Sequence, residues 1–370
     1  MAIFRTRSRR FDGDAELGKV VHAARLVKLG NSQKEIAEMM GLSASTVSRL
    51  LDRAGAENIL RIEVVPPLLT ALEEEMEEIL TSSGVQQVRV VPDGPGRNVA
   101  NLGYASALII MNTIVSLLNT KSRSEPIRIV FSCGTTVLRV IEELAILLEA
   151  YCLRDKHSIN HTLRILPSTL VSDFALDAVY PHTAVTIFWN KIRSMLDDRL
   201  KISAVAPQLP KNFYEKYERD DEARHTALTE YGLESVMQEA RKADIFVLGA
   251  GTTADPSYQK VHQTLHVIVD NILSKPEDTP EILYTPIDPA GTAHRGTEEK
   301  IIGVKISECR NIKNEANRYV ILVSGGHEKR VSLQTAFKNP CFNILVTDAN
   351  AAEEAVRRKH EAERVLKEME

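Results

Sequence analysis

Three short stretches carry residues whose types and spacing suit the capture of an anion. Phe131-Ser132-Cys133-Gly134-Thr135-Thr136 joins an apolar, β-branched run to an amphipathic helical pattern that begins at Val137. Backbone N–H groups at a helix N-terminus have no intrahelical partner and carry partial positive charge; a glycine lets the main chain come close to an anion, and Thr hydroxyls can donate. Gly134, Thr135 and Thr136 thus read either as a phosphate cradle or, more simply, as a helix start capped by one threonine. The loop has neither the Walker lysine nor Gly-x-Gly-x-x-Gly spacing, so it points away from nucleoside triphosphates and dinucleotides. Gly249, Gly251 and Thr252 follow a second apolar run with the same grammar, and two such loops at strand ends are what a ligand crevice in an open α/β sheet uses. The third stretch, Ser324 to Lys329, contributes Gly326 and Lys329. Lys329 reads either as a counter-charge for a phosphate or as the partner of a surface carboxylate such as Glu328. Asp288, with His294 and Arg295, lies in a polar, turn-rich segment that is either a sugar-facing rim or an exposed loop.

Other constellations are weaker. His262 and His266 share a helix face at i and i+4, but spacing supplies no third ligand, so no metal is assigned. No Gly-x-Ser-x-Gly elbow appears, and no cofactor is expected. Cys133, Cys152, Cys309 and Cys341 are far apart with no Cys-x-x-Cys pair, and are read as reduced core residues.

Near the start, residues 33–51 place Ala37, Gly41, Val47 and Leu50 where a helix-turn-helix needs them. The small residue lets two helices cross closely, the glycine makes the turn, and the branched residues pin the second helix. That unit would present Gln33, Lys34, Ser43, Ser45, Thr46, Ser48 and Arg49 to a DNA major groove, with Arg49 the candidate for guanine recognition; an ordinary helical hairpin is the plain alternative. Charge leans the same way. Residues 1–55 hold ten Lys/Arg against six Asp/Glu, a net of +4, in a chain whose total is −4, which leaves −8 for the body. Arg5, Arg7, Arg9 and Arg10 form a basic arm, read as either a phosphate or minor-groove contact or a solvated tail.

Positioning these groups requires a scaffold. At 370 residues the chain is about twice the usual domain size, and 44% hydrophobic with 26% charged content excludes a disordered chain. No apolar run is read as reaching the roughly 18 residues of a membrane span, and the arginine-rich start lacks a secretory apolar stretch; a soluble, cytoplasmic protein is expected. Helices are expected at 15–29, 32–40 and 43–54, a strand at 59–65, and an acidic helix at 68–80. Strands are then expected at 87–91, 127–131, 163–166, 202–206, 244–248, 301–306, 319–323 and 343–346. Helices at 99–118, 137–151, 183–200, 233–242, 331–337 and 351–369 alternate with them. Such alternation predicts a doubly wound, mostly parallel α/β domain over 85–370, behind a helix-turn-helix domain over 1–58 and a strand and linker helix over 59–84.

With these residues set out, the chain resembles the SorC-type (SorC/DeoR-like) bacterial transcriptional regulators. The resemblance rests on residues 33–51 followed by 59–64, on Cys133 to Thr136, on Asp244 to Gly251, and on Ser324 to Lys329 ahead of Asn343 to Ala352. It implies a phosphosugar-isomerase-like body that binds a sugar or sugar-phosphate effector, with the phosphate at Gly134, Thr135 and Thr136 and Lys329 nearby. It also implies operator DNA as partner and a homodimer or homotetramer. Residues 292–296 depart from the family's usual acidic and aromatic run, and 151–160 and 276–280 are local additions. The expected function is an effector-controlled repressor or activator. Rival readings are a sugar-phosphate isomerase or deaminase with a DNA-binding appendage, using Asp288 or Asp348 as base, and a protein-interaction module.

Overall fold

A computed structural model describes residues 4–57, 59–60, 68–93, 99–154, 159–171, 180–193, 200–210, 213–217, 220–252 and 279–369. Contacts divide the chain into two units, Met1–Val65 and Pro66–Glu370.

The first unit is three helices: α1 (Phe4–Lys28), α2 (Gln33–Met40) and α3 (Ala44–Ala56). Their shared core is small and aliphatic, built from Val20, Ala23, Ala24, Ile36, Ala37, Val47, Leu50 and Ala54. The ends of α2 are set by local chemistry. Ser32 Oγ accepts the Glu35 N–H at 3.3 Å while the Ser32 N–H donates to Glu35 Oε2 at 2.7 Å, a reciprocal cap. Those bonds from Ser32 hold the Glu35 carboxyl below its ordinary range. Gly41 ends the helix in left-handed backbone at φ +64°, and Ser43 caps α3 by accepting from Thr46 N–H. One expectation is corrected here: α1 reaches back to Phe4, so residues 5–10 are helical turns and not an arm. Arginine is a good helix former, and nothing in the segment breaks the pattern. The strand expected at 59–65 lies largely outside the described residues; Ile59 and Leu60 both donate to Ala54 O and close the end of α3.

The second unit opens with α4 (Thr70–Leu80) and then builds a sheet from β1 (Gln87–Val91), β2 (Ile127–Phe131), β3 (Ile159–Pro167), β4 (Leu200–Ala204), β5 (Ile245–Leu248), β9 (Tyr319–Val323) and β10 (Ile344–Asp348). Seven strands stand in the order β1-β10-β9-β5-β2-β3-β4, and every pairing is parallel. Alternation within each strand feeds two cores. Phe246 and Leu248 face one layer with Val130, Leu322 and Leu345, whereas Ile245 and Val247 face the other with Ile129, Val323 and Val346. Burial on both faces explains the near-continuous apolar runs. One layer holds α5 (Ala100–Thr120), α6 (Thr135–Arg154) and α7 (Pro181–Ile192). The other holds α4, α9 (Asp221–Glu230), α10 (Leu233–Arg241), α12 (Ile306–Ile312), α13 (Arg330–Lys338) and α14 (Ala349–Met369). Short elements complete the described chain: α8 (Phe213–Lys216), α11 (Arg295–Lys300), and an antiparallel sheet of β6 (Ala250–Thr252), β7 (Pro280–Ile282) and β8 (Thr285–Pro286).

Two sequence expectations fail for physical reasons. Residues 301–306 are not a strand: Ile301, Ile302, Val304 and Ile306 are buried, but the segment crosses the end of β3 with a single bridge, Thr169 to Gly303. Gly303 permits that crossing, since a Cβ there would lie 2.6 Å from Ser168 O. Ile306 then opens α12, whose first amides are taken by carboxylates, Lys305 N–H by Glu308 and Ser307 N–H by Glu298, both at 2.9 Å. Helix α5 is long and apolar enough by composition to cross a membrane, against the sequence reading, yet Ile110, Ile114 and Leu117 are spent inside the second core.

Edge strand β1 is sealed by side chains. Its N–H groups that face away from β10 would otherwise stay open, and α4 fills them: Val90 N–H donates to Glu73 Oε1 at 2.9 Å and Val88 N–H to Glu77 Oε1 at 3.1 Å. Glu73 is buried and also receives Arg89 Nη1 at 3.2 Å. Glu73→Ala leaves a buried amide and Arg89 without this acceptor, and is expected to lower unfolding free energy by about 1–3 kcal/mol in urea titrations; wild-type stability would show that the bond contributes nothing.

Candidate functional site

Because every strand of the large sheet runs the same way, the loops after β9, β5 and β2 emerge side by side at one edge. Between β2 and β5 the winding reverses: after β2 the chain adds β3 and β4 on one side, then returns to place β5 on the other. Open α/β sheets bind ligands at such a switch point.

There the loop Ser132 to Gly134 meets Gly249. Ser132 N–H donates to Val247 O at 2.9 Å, and Ser132 Oγ accepts the Gly249 N–H at 3.1 Å. A Cβ on Gly249 would lie 3.3 Å from Cys133 O and 3.5 Å from Val137 Cγ2, so this glycine lets the two loops abut. Gly134 takes φ +103° and has open space where a side chain would be. Helix α6 starts at the next residue, with Leu138 N–H donating to Gly134 O at 3.0 Å, so the Thr135, Thr136 and Val137 N–H groups have no acceptor within the helix. Thr135 is exposed. Thr136 is 2% exposed, and its hydroxyl is buried without a hydrogen-bond partner. Thr183, in the first turn of α7, which also opens at this edge, carries a second such hydroxyl.

The third loop brings the cation. Gly326 takes φ +97°, and its N–H is already held by Asp348 Oδ2 at the end of β10. Asp348 Oδ1 accepts the Ala351 N–H at 3.1 Å and so caps α14; burial pushes its carboxyl above the ordinary aspartate value despite these bonds. A Cβ on neighbouring Gly325 would lie 2.5 Å from Asp348 Oδ2 and 2.9 Å from Leu102 Cδ1. After the 3₁₀ turn His327–Lys329, Lys329 is close enough to Cys133 for its charge to act on the thiol.

Beyond Gly249 the second Gly/Thr stretch runs directly into β6. Thr252 is buried, Gly251 O accepts Ser332 Oγ at 2.7 Å, and Glu281 of β7 lies over Gly251, its Oε1 2.5 Å from where a Cβ would be. Gly134, Thr135, Thr136, Gly249 and Lys329 are therefore gathered, with Gly326 on the adjoining loop. Asp288 is not among them. Its carboxylate is exposed and accepts the Ala290 and Thr292 N–H groups at 2.9 and 2.8 Å, shaping a turn whose Gly291 packs on Thr335 and Asn339 at the far end of α13. His294 caps α11, and Arg295 pairs with Glu299 at 2.8 Å. His262, His266 and Thr253 lie outside the described residues.

Sequence reasoning missed Glu281 and Tyr284 as neighbours of the cradle, and it read Cys133, which stands in the cradle loop, only as a reduced core residue. Tyr284 is buried, and its hydroxyl donates to the Cys133 sulfur. Burial above all pushes the Cys133 thiol up to about 12, although Tyr284 and Lys329 oppose the rise. Prolines at 280 and 286 mark the ends of this segment, but no Asn-Gly pair announces the turn between them.

In the head, Gln33, Lys34, Ser43, Ser45 and Arg49 are exposed, and Thr46 and Ser48 half-buried. Ser43 Oγ lies 2.9 Å from Ser45 Oγ and 2.8 Å from Thr46 Oγ1, a hydroxyl cluster at the start of α3. The two arginines of α3 differ: Arg53 is committed to Glu57 at 2.6 Å and Glu16 at 3.5 Å, whereas Arg49, among the described residues, makes only a 3.4 Å contact to Ser45 O.

Residues 215–357 match the family described as "Putative sugar-binding domain", and residues 14–58 match the Homeodomain-like domain family. Among solved structures, the full-length sorbitol operon regulator SorC from Klebsiella pneumoniae is similar at 18% identity and TM-score 0.55, with 91% of this chain and 98% of that chain covered. A transcriptional regulator from Streptococcus pneumoniae TIGR4 gives 14% identity and TM-score 0.56 over 79% of this chain and 98% of that one. A DeoR family transcriptional regulator from Listeria monocytogenes gives 15% and 0.54 over 77% and 98%. These likenesses show a common fold.

With its pKa near 12, Cys133 carries on the order of one thiolate in ten thousand at pH 8. Iodoacetamide labelling read by peptide mass spectrometry is expected to be at least about a hundredfold slower at Cys133 in the folded protein than in denaturant, and to accelerate as pH rises toward 12. Fast labelling at neutral pH would contradict the burial.

Proposed function

We infer that the chain belongs with the SorC-type transcriptional regulators, as a sequence-specific DNA-binding protein whose operator affinity is set by a small sugar or sugar-phosphate effector. Two family matches, one to a sugar-binding domain and one to a homeodomain-like unit, support the reading from opposite ends of the chain. Within the body, the observation that carries it is the Thr136 hydroxyl, buried without a partner at the opening of a twenty-residue helix where the sheet winding reverses.

A phosphate at this corner accepts the amide N–H groups that open α6 and the hydroxyls of Thr135 and Thr136, with the Lys329 ammonium balancing its charge. Glu281 stands close by as an acceptor for sugar hydroxyls. The head presents α3 to the major groove, where Arg49 reads a base edge and Gln33, Lys34, Ser43, Ser45, Thr46 and Ser48 reach phosphates or bases. Effector capture favours one arrangement of a homodimer or homotetramer, changing the fit of paired heads to half-sites about 34 Å apart or a multiple of that. Such a regulator works beside the chromosome, in the cytoplasm.

An enzymatic body would need a free base in the crevice. Both carboxylates considered for that part are spent: Asp348 caps α14 and holds Gly326, and Asp288 shapes its own turn. Sustained turnover of pentose or hexose phosphates by the purified protein would reverse this judgement.

A thermal-shift screen of phosphorylated and free sugars tests the ligand class, since a ligand at a hundred times its Kd adds about 2.7 kcal/mol of stability. The double variant Thr135→Val, Thr136→Val is expected to lose the phosphate-dependent shift while still retarding operator DNA; unchanged ligand affinity would defeat the site. Arg49→Ala is expected to weaken specific binding by about 1–3 kcal/mol in gel-shift titrations with little change on random DNA, and equal loss on both would make Arg49 a phosphate contact only.

A further inference from the structure

Helices α4 and α14 leave a face that the rest of the body does not cover. They run antiparallel: Lys359 Nζ meets Glu78 Oε2 at 3.3 Å, and further along, Leu72 and Arg364 line one groove. The groove holds about 420 Å³, with Leu72 and Val356 as its apolar lining and Glu75, Glu361, Arg357 and Arg364 among its polar residues. More apolar surface is bare at the Leu72 end, where Leu68 is 45% exposed and Val365 50%.

Helix α14 also outruns the support beneath it. Ala355 is buried, yet Ala362, two turns later on the same side, is exposed, as is every side chain from His360 to Val365. The helix nevertheless continues to Met369. Short helical stretches in water gain too little from propensity alone and are held by packing of one face, so these last turns call for something to lie against.

Charge identifies what that is. Helix α4 carries five glutamates and no Lys or Arg. Glu73 and Glu77 are turned to β1 and Glu78 to Lys359, while Glu74 and Glu75 are exposed and make no ion pair among the described residues. The exposed side of α14 carries Arg357, Arg358 and Arg364. Arg357 and Arg358 pair with Glu354 and Glu361 along their own helix, exposed contacts weak enough to exchange. A twofold rotation about the groove sets α4 of one copy against α14 of the other and so joins the unpaired acids to these bases twice over. The size agrees as well. With 21 residues α14 is about 31 Å long, and two helices side by side span about 20 Å, a flat area of about 600 Å², comparable with the roughly 800 Å² per partner of a stable interface.

We propose that the α4–α14 face is a docking surface for a second copy of this chain, the bared end of each α14 lying in the other copy's groove, with Val365 against Leu72 and Val356 and with Arg364 paired to Glu75 across the twofold axis. The proposal rests on the homo-oligomer reading given above and supplies the surface, which that reading leaves open. Only residues 66–69 separate the end of the first unit from α4, so docking here ties two DNA-binding heads together through short lengths of chain, as paired half-sites require.

The test follows the mass of the full chain by sedimentation velocity, with circular dichroism to show that each variant folds. Wild type, a chain of 41.2 kDa, is expected at twice that mass or a larger even multiple. Val365→Glu, Glu75→Arg and Arg364→Glu, all at exposed positions, are each expected to raise the dissociation constant at least about tenfold. The deciding sample is an equimolar mixture of Glu75→Arg with Arg364→Glu. A twofold interface gives the two variants opposite charges at both contacts, so the mixture is expected to recover wild-type assembly that neither variant shows alone; a pair confined to one chain is not repaired by mixing. Val365→Glu is independent of the charge pair and keeps the test if either charge variant misfolds. Folded variants that assemble like wild type, or a mixture as weak as its components, would refute this face and leave the homo-oligomer reading standing. Wild type at the mass of one chain at micromolar concentration would overturn that reading, and the face with it.

Discussion

One contact at the middle of the sheet edge organises the body: the Gly249 amide on the Ser132 hydroxyl, where the loops leaving β2 and β5 meet. Parallel pairing delivers all the strand ends to a single side, and the reversal of winding opens a gap between these two. With a side chain at 249 the loops could not close to this distance, and without the Ser132 hydroxyl a part-buried amide would lack its acceptor. From that junction the other parts follow: Gly134 turns the chain into α6, the first amides of α6 face outward, and the β9 loop carries Lys329 in from the other side of β5.

Charge is used locally in both units. Within the body, carboxylates repeatedly satisfy backbone amides: Glu73 and Glu77 on β1, Asp244 on Arg128, Glu298 and Glu308 at the start of α12, and Asp348 on Gly326 and Ala351. Lys313 does the converse, its ammonium donating to Ser83 O and Pro340 O while burial lowers its pKa. Part of the body's negative balance is thus structural, held by amides and so unavailable for ligand chemistry. In the head, Arg53 is likewise consumed by Glu57 and Glu16, which leaves Arg49 as the α3 arginine placed to meet an outside partner.

Much of the scaffold could be read in advance, because the cues are local. Periodicity located α2, α3, α5, α6, α10, α13 and α14, and Ser32, Gly41 and Ser43 marked their ends by capping chemistry that needs no tertiary contact. Strands β1, β2 and β9 were found to the residue, since full burial writes an uninterrupted apolar run. The same rule misled at 301–306, where burial comes from crossing β3 and not from pairing, and composition cannot tell the two apart. In the site, the Gly134 loop was legible because a strand, a glycine and a helix start are contiguous. Asp288 was misplaced because an acidic residue in a turn has one composition whether it faces a ligand or its own amides. Glu281 and Tyr284 were invisible: nothing local announces that a two-residue turn of Leu283 and Tyr284 will fold back over a loop some 150 residues earlier in the chain.

The carboxylates that α4 places along β1 have a further consequence. A parallel sheet with an open margin invites another chain to extend it, and copies of a protein often assemble in that way. Here the β1 margin is already occupied by Glu73 and Glu77, so continuous strand-to-strand growth is denied on that flank. A second copy docking on that flank would have to use helical or loop surfaces, contacts whose geometry can shift in small steps without breaking a hydrogen-bond ladder.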